Sequence, residues 1–305
     1  MRSSLRHENC NARRFDRRNL WPWRDLMTIG IGVVATSAAG RTKNILPDTA
    51  ILIADTMGSY GDVDSHARLH KTFMFPDAGV YAVAAGAVDR AAELLFSFAK
   101  FVKDVPRTER NQGAIAKTLA SVCYGYKREK FTVHELPKLR LPPTAMDVST
   151  VTPELNAIVQ PHWEKFSIGC DLIVATFCGD GSVCFVQVNG EEHELSDMLF
   201  PGFAAIGAGS ELAIFCLSRR EQTLGQLPLR AAYHAYEAKR MAESSPHVND
   251  QLDLVVATNE EHWFCTSHSS LHGQKEHPEI NIKNLKRLWK RYSPRDTAKL
   301  GTVVD

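Results

Sequence analysis

The chain has 305 residues, 44% of them hydrophobic and 23% charged, the composition of a globular protein with a substantial core. Thirty-six Lys and Arg stand against 35 Asp and Glu, a formal net charge of +1, so no global field draws the chain to nucleic acid or to an anionic membrane. No apolar run approaches the roughly 20 residues that span a bilayer, and seven cysteines without a C-x-x-C pair suit buried thiols in a reducing cytoplasm better than disulfides or zinc.

Residues 1–26 carry seven arginines and little periodicity, and they read as a disordered leader, a propeptide or an over-long start. Glu8, Asp16 and Asp25, with no apolar h-region, argue against a secretory signal, and the acids also argue against a mitochondrial presequence. From Thr28 the pattern changes. "TIGIGVVAT" is β-branched and apolar like a buried strand, "SAAGRTKNILPD" supplies turn residues, and "TAILIADT" is a second buried strand. "HKTFMF" and "GVYAVAAG" flank "PDA" as a hairpin.

Helical spacing follows over 89–105 and 113–131. Residues 132–165 hold five prolines and no clear period, which predicts an insertion or arm. "CDLIVATFC" and "SVCFVQVN" are strands joined by "GDG", a hairpin turn with no helix after it and so not a phosphate loop. "FAAIGAGS" is a strand running into a turn. "SELAIFCLSRR" and "LPLRAAYHAYEAKRMAES" are helices, the second entered through Pro228. "QLDLVVAT" and "HWFCTSH" close the strand set, and "EINIKNLKRLWKRY" is a basic amphipathic helix.

Runs of strands separated by helix pairs favour antiparallel sheets with helices packed outside them. Both faces of the strands look apolar, so each sheet needs cover on both sides. The expectation is an α+β fold, a four-layer αββα sandwich over 27–266 with 132–165 inserted and 267–305 as a tail.

Several residues carry candidate chemistry. Asp55 stands just past a buried strand and Lys71 begins the next one. A threonine at a chain's N-terminus can attack a carbonyl through its hydroxyl while its own α-amine, with a pKa near ~8, takes the proton. A neighbouring lysine lowers the hydroxyl's pKa, an aspartate keeps that lysine charged, and a backbone N–H near a glycine stabilises the oxyanion. Gly86, at the end of "YAVAAG", is placed for that last role. Singly, each has a plainer reading: Asp55 as a turn residue, Lys71 as an edge charge, Gly86 as a turn before a helix capped by Asp89. His262, Cys265, His268 and His272 suggest a metal cluster on paper, but strand and loop placement favours core or solvated side chains. The Arg-rich leader and "KNLKRLWKR" are basic enough for nucleic acid, yet the balanced total charge favours solvated ends or a partner-docking helix.

In combination, "TIGIGVV…ILIADT…HKTFMF…YAVAAGAVDRAAELL" and "CDLIVATFCGDGSVCFVQVNG…FAAIGAGSELA…QLDLVVAT" resemble the proteasome β-subunit family of N-terminal-nucleophile hydrolases, including the simpler bacterial threonine peptidases of that type. The resemblance covers residues 28–130 and 168–266. It implies Thr28 as nucleophile and general base, Lys71 as the tuning cation, Asp55 as its anchor and Gly86 as the oxyanion residue. The separation 71 − 55 = 16 matches the family's spacing. It further implies a peptide or protein substrate, a homo-oligomeric ring or stacked assembly, an ATPase partner, and no metal or organic cofactor.

The departures are specific. The Thr28–Asp55 connection is longer by a hairpin extension. Ala208 stands where the family has a serine, with Ser210 two positions on. The family's later Asp-x-x-Ser pair has only Glu243, Ser244, Ser245 and Asp250 as candidates. At the head of the domain two alignments stay open. In one, Met27 is an initiator whose removal frees Thr28; in the other, Met27 falls on the nucleophile position and the chain is a non-catalytic structural subunit. An amidase acting on a small amide is a third reading.

Overall fold

A computed structural model describes residues 29–37, 46–60, 63–68, 70–147, 152–190, 195–245, 248–267 and 275–292. The chain forms a mixed α+β fold with two five-stranded antiparallel sheets. The first holds β1 (Ile29–Ala35), β2 (Thr49–Ala54), β10 (Phe203–Gly207), β11 (Asp253–Thr258) and β12 (His262–Thr266) in the order β10-β1-β2-β11-β12. The second holds β5 (Thr72–Phe75), β6 (Val80–Gly86), β7 (Cys170–Phe177), β8 (Val183–Val188) and β9 (Leu195–Asp197) in chain order. A separate hairpin pairs β3 (Met57–Tyr60) with β4 (Val63–Arg68).

Side chains alternate across each strand, and the alternation sorts them into cores. Val34, Leu52 and Val255 of the first sheet pack with Val83, Ile173 and Phe185 of the second in one cluster. On the other side of the first sheet, Ile31, Val33 and Ile53 meet Leu217 of α4 (Ser210–Arg219) and Tyr236 of α5 (Pro228–Ala242). On the other side of the second sheet, Ala82, Leu172 and Val186 meet Leu94 and Phe98 of α1 (Val88–Asp104) and Leu119 of α2 (Gln112–His134). The glycines of "TIGIGVV" belong to this packing. A Cβ on Gly32 would lie 2.7 Å from the Phe185 ring and 2.8 Å from Ile173, so its absence lets the second sheet's aromatic side chain reach the backbone of β1.

Two regions differ from what the sequence predicts. The 132–165 segment is not irregular throughout. α2 runs on to His134, a 3₁₀ turn spans Pro143–Met146, and α3 covers Pro153–Lys165. Phe131, Leu136, Ala145 and Val159 are buried together there, with Trp163 and Phe166 against them, so the segment has a small core of its own. Pro153 occupies the first turn of α3, where its missing N–H costs nothing, and Thr152 caps that end by accepting from the Leu155 N–H. Pro161 lies inside the helix and obscures its period. The second difference is the β3–β4 hairpin between Asp55 and Lys71, where no strand pair is expected. The predicted basic helix is present as α6, Ile282–Tyr292.

Six described cysteines are free and buried. Among the described residues no helix is long and apolar enough to cross a membrane. His234 in α5 is one of the buried polar residues, 4% exposed with Nδ1 2.9 Å from Gln222 Oε1. Burial pushes its pKa down to about 4. The folded state therefore keeps the ring neutral while the unfolded chain takes up a proton near its usual value. Stability is present above the unfolded pKa and lost as pH falls from about 6.5 towards about 4, by up to about 3 kcal/mol. Urea unfolding at pH 7 and near pH ~4.5 should show that part of the loss in the wild type and not in His234→Gln.

Candidate functional site

β2 is buried along its whole length and delivers Asp55 to its end at 0% exposure. On the second sheet, Lys71 precedes β5 and is 1% exposed, its backbone carbonyl accepting from the Ala84 N–H. The two sheets bring these side chains together, with Lys71 Nζ donating to Asp55 Oδ1 at 3.0 Å. The same oxygen accepts the Ile29 N–H at 3.2 Å, and the Asp55 N–H donates to the Ile29 carbonyl at 3.1 Å. Asp55 is thus fastened both to Lys71 and to the head of β1. Its second oxygen, Oδ2, is buried without a hydrogen-bond partner among the described residues.

Burial pushes the Asp55 carboxyl up and the Lys71 ammonium down, and each opposes the other's shift through its charge and the hydrogen bond between them. Two further buried charges act on the pair. Lys239 of α5 attracts Asp55, and Asp253 at the start of β11 attracts Lys71. Lys239 is fully buried and donates to Glu243 and to the Asn249 carbonyl. Asp253 is also fully buried, directly across from Ala54, and its Oδ2 lies 2.8 Å from His70 Nδ1. Consecutive residues of one segment, His70 and Lys71, therefore each reach a buried aspartate of the other sheet.

Lys239, Asp253 and His70 are not singled out by the sequence. Lys239 sits in "EAKRMAES", read from the sequence only as the end of a helix. Asp253 and His70 are 183 positions apart, so only the sheet packing joins them. Asp253→Ala is expected to lower the unfolding free energy by about 1–3 kcal/mol, because His70 and the nearby Thr72 hydroxyl lose their buried acceptor. Urea unfolding at pH 7 measures it, with His70→Gln expected to cost less.

Gly86 ends β6 with φ 94°, a conformation that glycine adopts without strain. It pairs with Cys170, and a Cβ there would lie 2.5 Å from the Gly169 carbonyl oxygen. α1 follows at once. Ala87 occupies its N-cap position with no side-chain cap, so Asp89 does not serve as the cap and lies in the first turn instead.

Thr28 and Met27 lie outside the described residues. Ile29 pairs with Gly207, which places Ala208 and Gly209 just past β10 beside the head of β1. Ala208 packs against the α4–α5 side of the first sheet, and Ser210 opens α4 with Gly209 as its N-cap. Of the later candidates, Glu243 is taken up by Lys239 and Arg240, Ser244 donates to the Met241 carbonyl, and Asp250 is exposed. A Cβ on Gly209 would lie 3.3 Å from Ser245 Cβ, so Ser245 packs against that turn.

His262 and Cys265 lie on β12. The His262 ring is tilted against Tyr81, and the Cys265 thiol is 3.6 Å from Glu276 Oε1. His268 and His272 lie outside the described residues. Among those described, no group of three or more His, Cys, Asp and Glu side chains is arranged to hold a metal ion. Among the described residues, surface grooves lie between α1 and α2, near Arg107 and His262, and beside α6, and none of these three is lined by Asp55 or Lys71. Neither protein-family models nor curated proteins give a match to the chain.

Proposed function

We propose that the chain is a threonine-type peptidase of the N-terminal-nucleophile class, with the four-layer αββα arrangement of proteasome β-subunits. The observation that carries this reading is the buried Asp55–Lys71 contact, because the same Asp55 oxygen holds the N–H of Ile29, the residue bonded to Thr28. That arrangement sets a fixed cation and its counter-charge at the head of β1. Gly86 and the uncapped start of α1 support an oxyanion role for that turn.

In the proposed reaction the Thr28 Oγ attacks the scissile carbonyl carbon and its proton passes to the Thr28 α-amine. Lys71 stabilises the oxygen as it loses that proton, and Asp55 holds Lys71. The Gly86 N–H stabilises the oxyanion. As the C–N bond breaks, the α-amine returns the proton to the leaving nitrogen, giving an acyl ester on Thr28. Water then hydrolyses the ester, releasing the acid and restoring the hydroxyl. No cofactor enters. The substrate is a peptide or protein, and the working form is a homo-oligomeric ring or stack served by an ATPase in the cytoplasm. Free, buried thiols support a reducing compartment.

Ala208 supports a second reading, a non-catalytic subunit of the same fold, since no hydroxyl stands at that position beside β1. Hydrolysis assays with fluorogenic peptides and small amides separate the readings. Wild type and Thr28→Ser should cleave peptides, while Thr28→Ala should fall by about a thousandfold or more. Equal rates in wild type and Thr28→Ala would contradict the peptidase, and cleavage confined to small amides would replace it with an amidase.

A further inference from the structure

α6 presents two opposite chemistries. Ile282 and Leu285 are buried in the core that contains Tyr236, and Leu288 and Trp289 pack against the same cluster. The remaining face exposes Lys283, Lys286, Arg287, Lys290 and Arg291. None of these five forms an ion pair among the described residues. In a chain whose formal net charge is +1, this is a strong local concentration of positive charge.

A groove of about 590 Å³ runs beside that face, lined by Lys283, Lys286, Arg287 and Lys290 and, from the end of β12, by Thr266 and Ser267. Among the described residues Glu276 is the one acidic residue lining it, within reach of the Cys265 thiol. The groove is concave and cationic along one helix, which suits a carboxylate-bearing chain. We propose that α6 and this groove form a docking surface for an acidic polypeptide segment of a partner protein.

The dimensions favour that occupant. The cations from Lys283 to Arg291 span eight residues of helix, about 12 Å. An extended peptide rises about 3.3 Å per residue, so about four residues lie along the stripe. Duplex binding draws its affinity from many phosphate contacts made together, and this short helix face supplies at most five cations. Membrane insertion is disfavoured because the apolar face of α6 is already spent in the core. The surface is independent of the peptidase reading, since none of its residues belongs to the Asp55–Lys71 site.

Fluorescence anisotropy of the full chain with a labelled oligoglutamate peptide tests the proposal. Binding should weaken roughly tenfold in Lys286→Gln/Arg287→Gln/Lys290→Gln and between about 50 and about 200 mM salt, and should be unchanged in Lys100→Gln/Lys165→Gln. Near-identical melting curves establish that the exposed substitutions leave the fold intact. Absence of oligoglutamate binding, equal binding by the triple variant, or tighter binding of a single-stranded oligonucleotide or of anionic vesicles would each overturn it.

Discussion

Lys71→Ala is expected to lower the unfolding free energy by about 3–5 kcal/mol and to abolish peptide hydrolysis, because it removes the cation paired with the fully buried Asp55 carboxylate. The stability loss follows from burial. Asp55 is 0% exposed, one of its oxygens lacks a partner among the described residues, and the other would keep there only the Ile29 N–H. Urea unfolding at pH 7 measures the first effect. Lys71→Met combined with Asp55→Asn separates the second. Asparagine keeps an acceptor for Ile29 and removes the stranded charge, so most of the stability should return while hydrolysis stays absent. Recovery of activity in the double variant would show that Lys71 acts only through folding.

Gly86→Ala should be the second most damaging change. Its Cβ would lie 2.5 Å from the Gly169 carbonyl oxygen and 3.0 Å from Cys170 Cα, both backbone atoms, at a φ of 94° that alanine disfavours. The β6–α1 turn must move, and the N–H assigned to the oxyanion moves with it. The expected loss in kcat is about 10²–10³-fold, against a stability loss of about 1–3 kcal/mol. Peptide hydrolysis and urea unfolding of the same preparation read the two. A stability loss of that size with kcat unchanged would reduce Gly86 to a packing residue.

The strands were the most legible part of this chain. β1, β2 and β7 are apolar runs with little interruption, and their burial leaves few alternatives to a covered sheet. The Asp55 and Lys71 pair was legible only through the resemblance to proteasome β-subunits, and the fold places the two side chains in contact across the sheets. The segment 132–165 was not, because prolines at 153 and 161 break the pattern by which a helix is read, although α3 tolerates both. The polar residues of β3 and β4 gave no apolar alternation to read. Lys239 and Asp253 were hidden for a different reason. Each looks like an ordinary surface charge in its own segment, and only the approach of α5 and β11 to the end of β2 buries it. Local pattern carries elements, whereas the charge network depends on contacts across the whole chain.

The proposed catalysis requires a free α-amine on Thr28 beside the Asp55–Lys71 pair. Intact mass with N-terminal sequencing, on protein expressed from the native gene, tests this most directly. The predicted result is a mature chain beginning at Thr28, and a chain in which Thr28 stays internal, whether it begins at Met1 or at Met27, would contradict it.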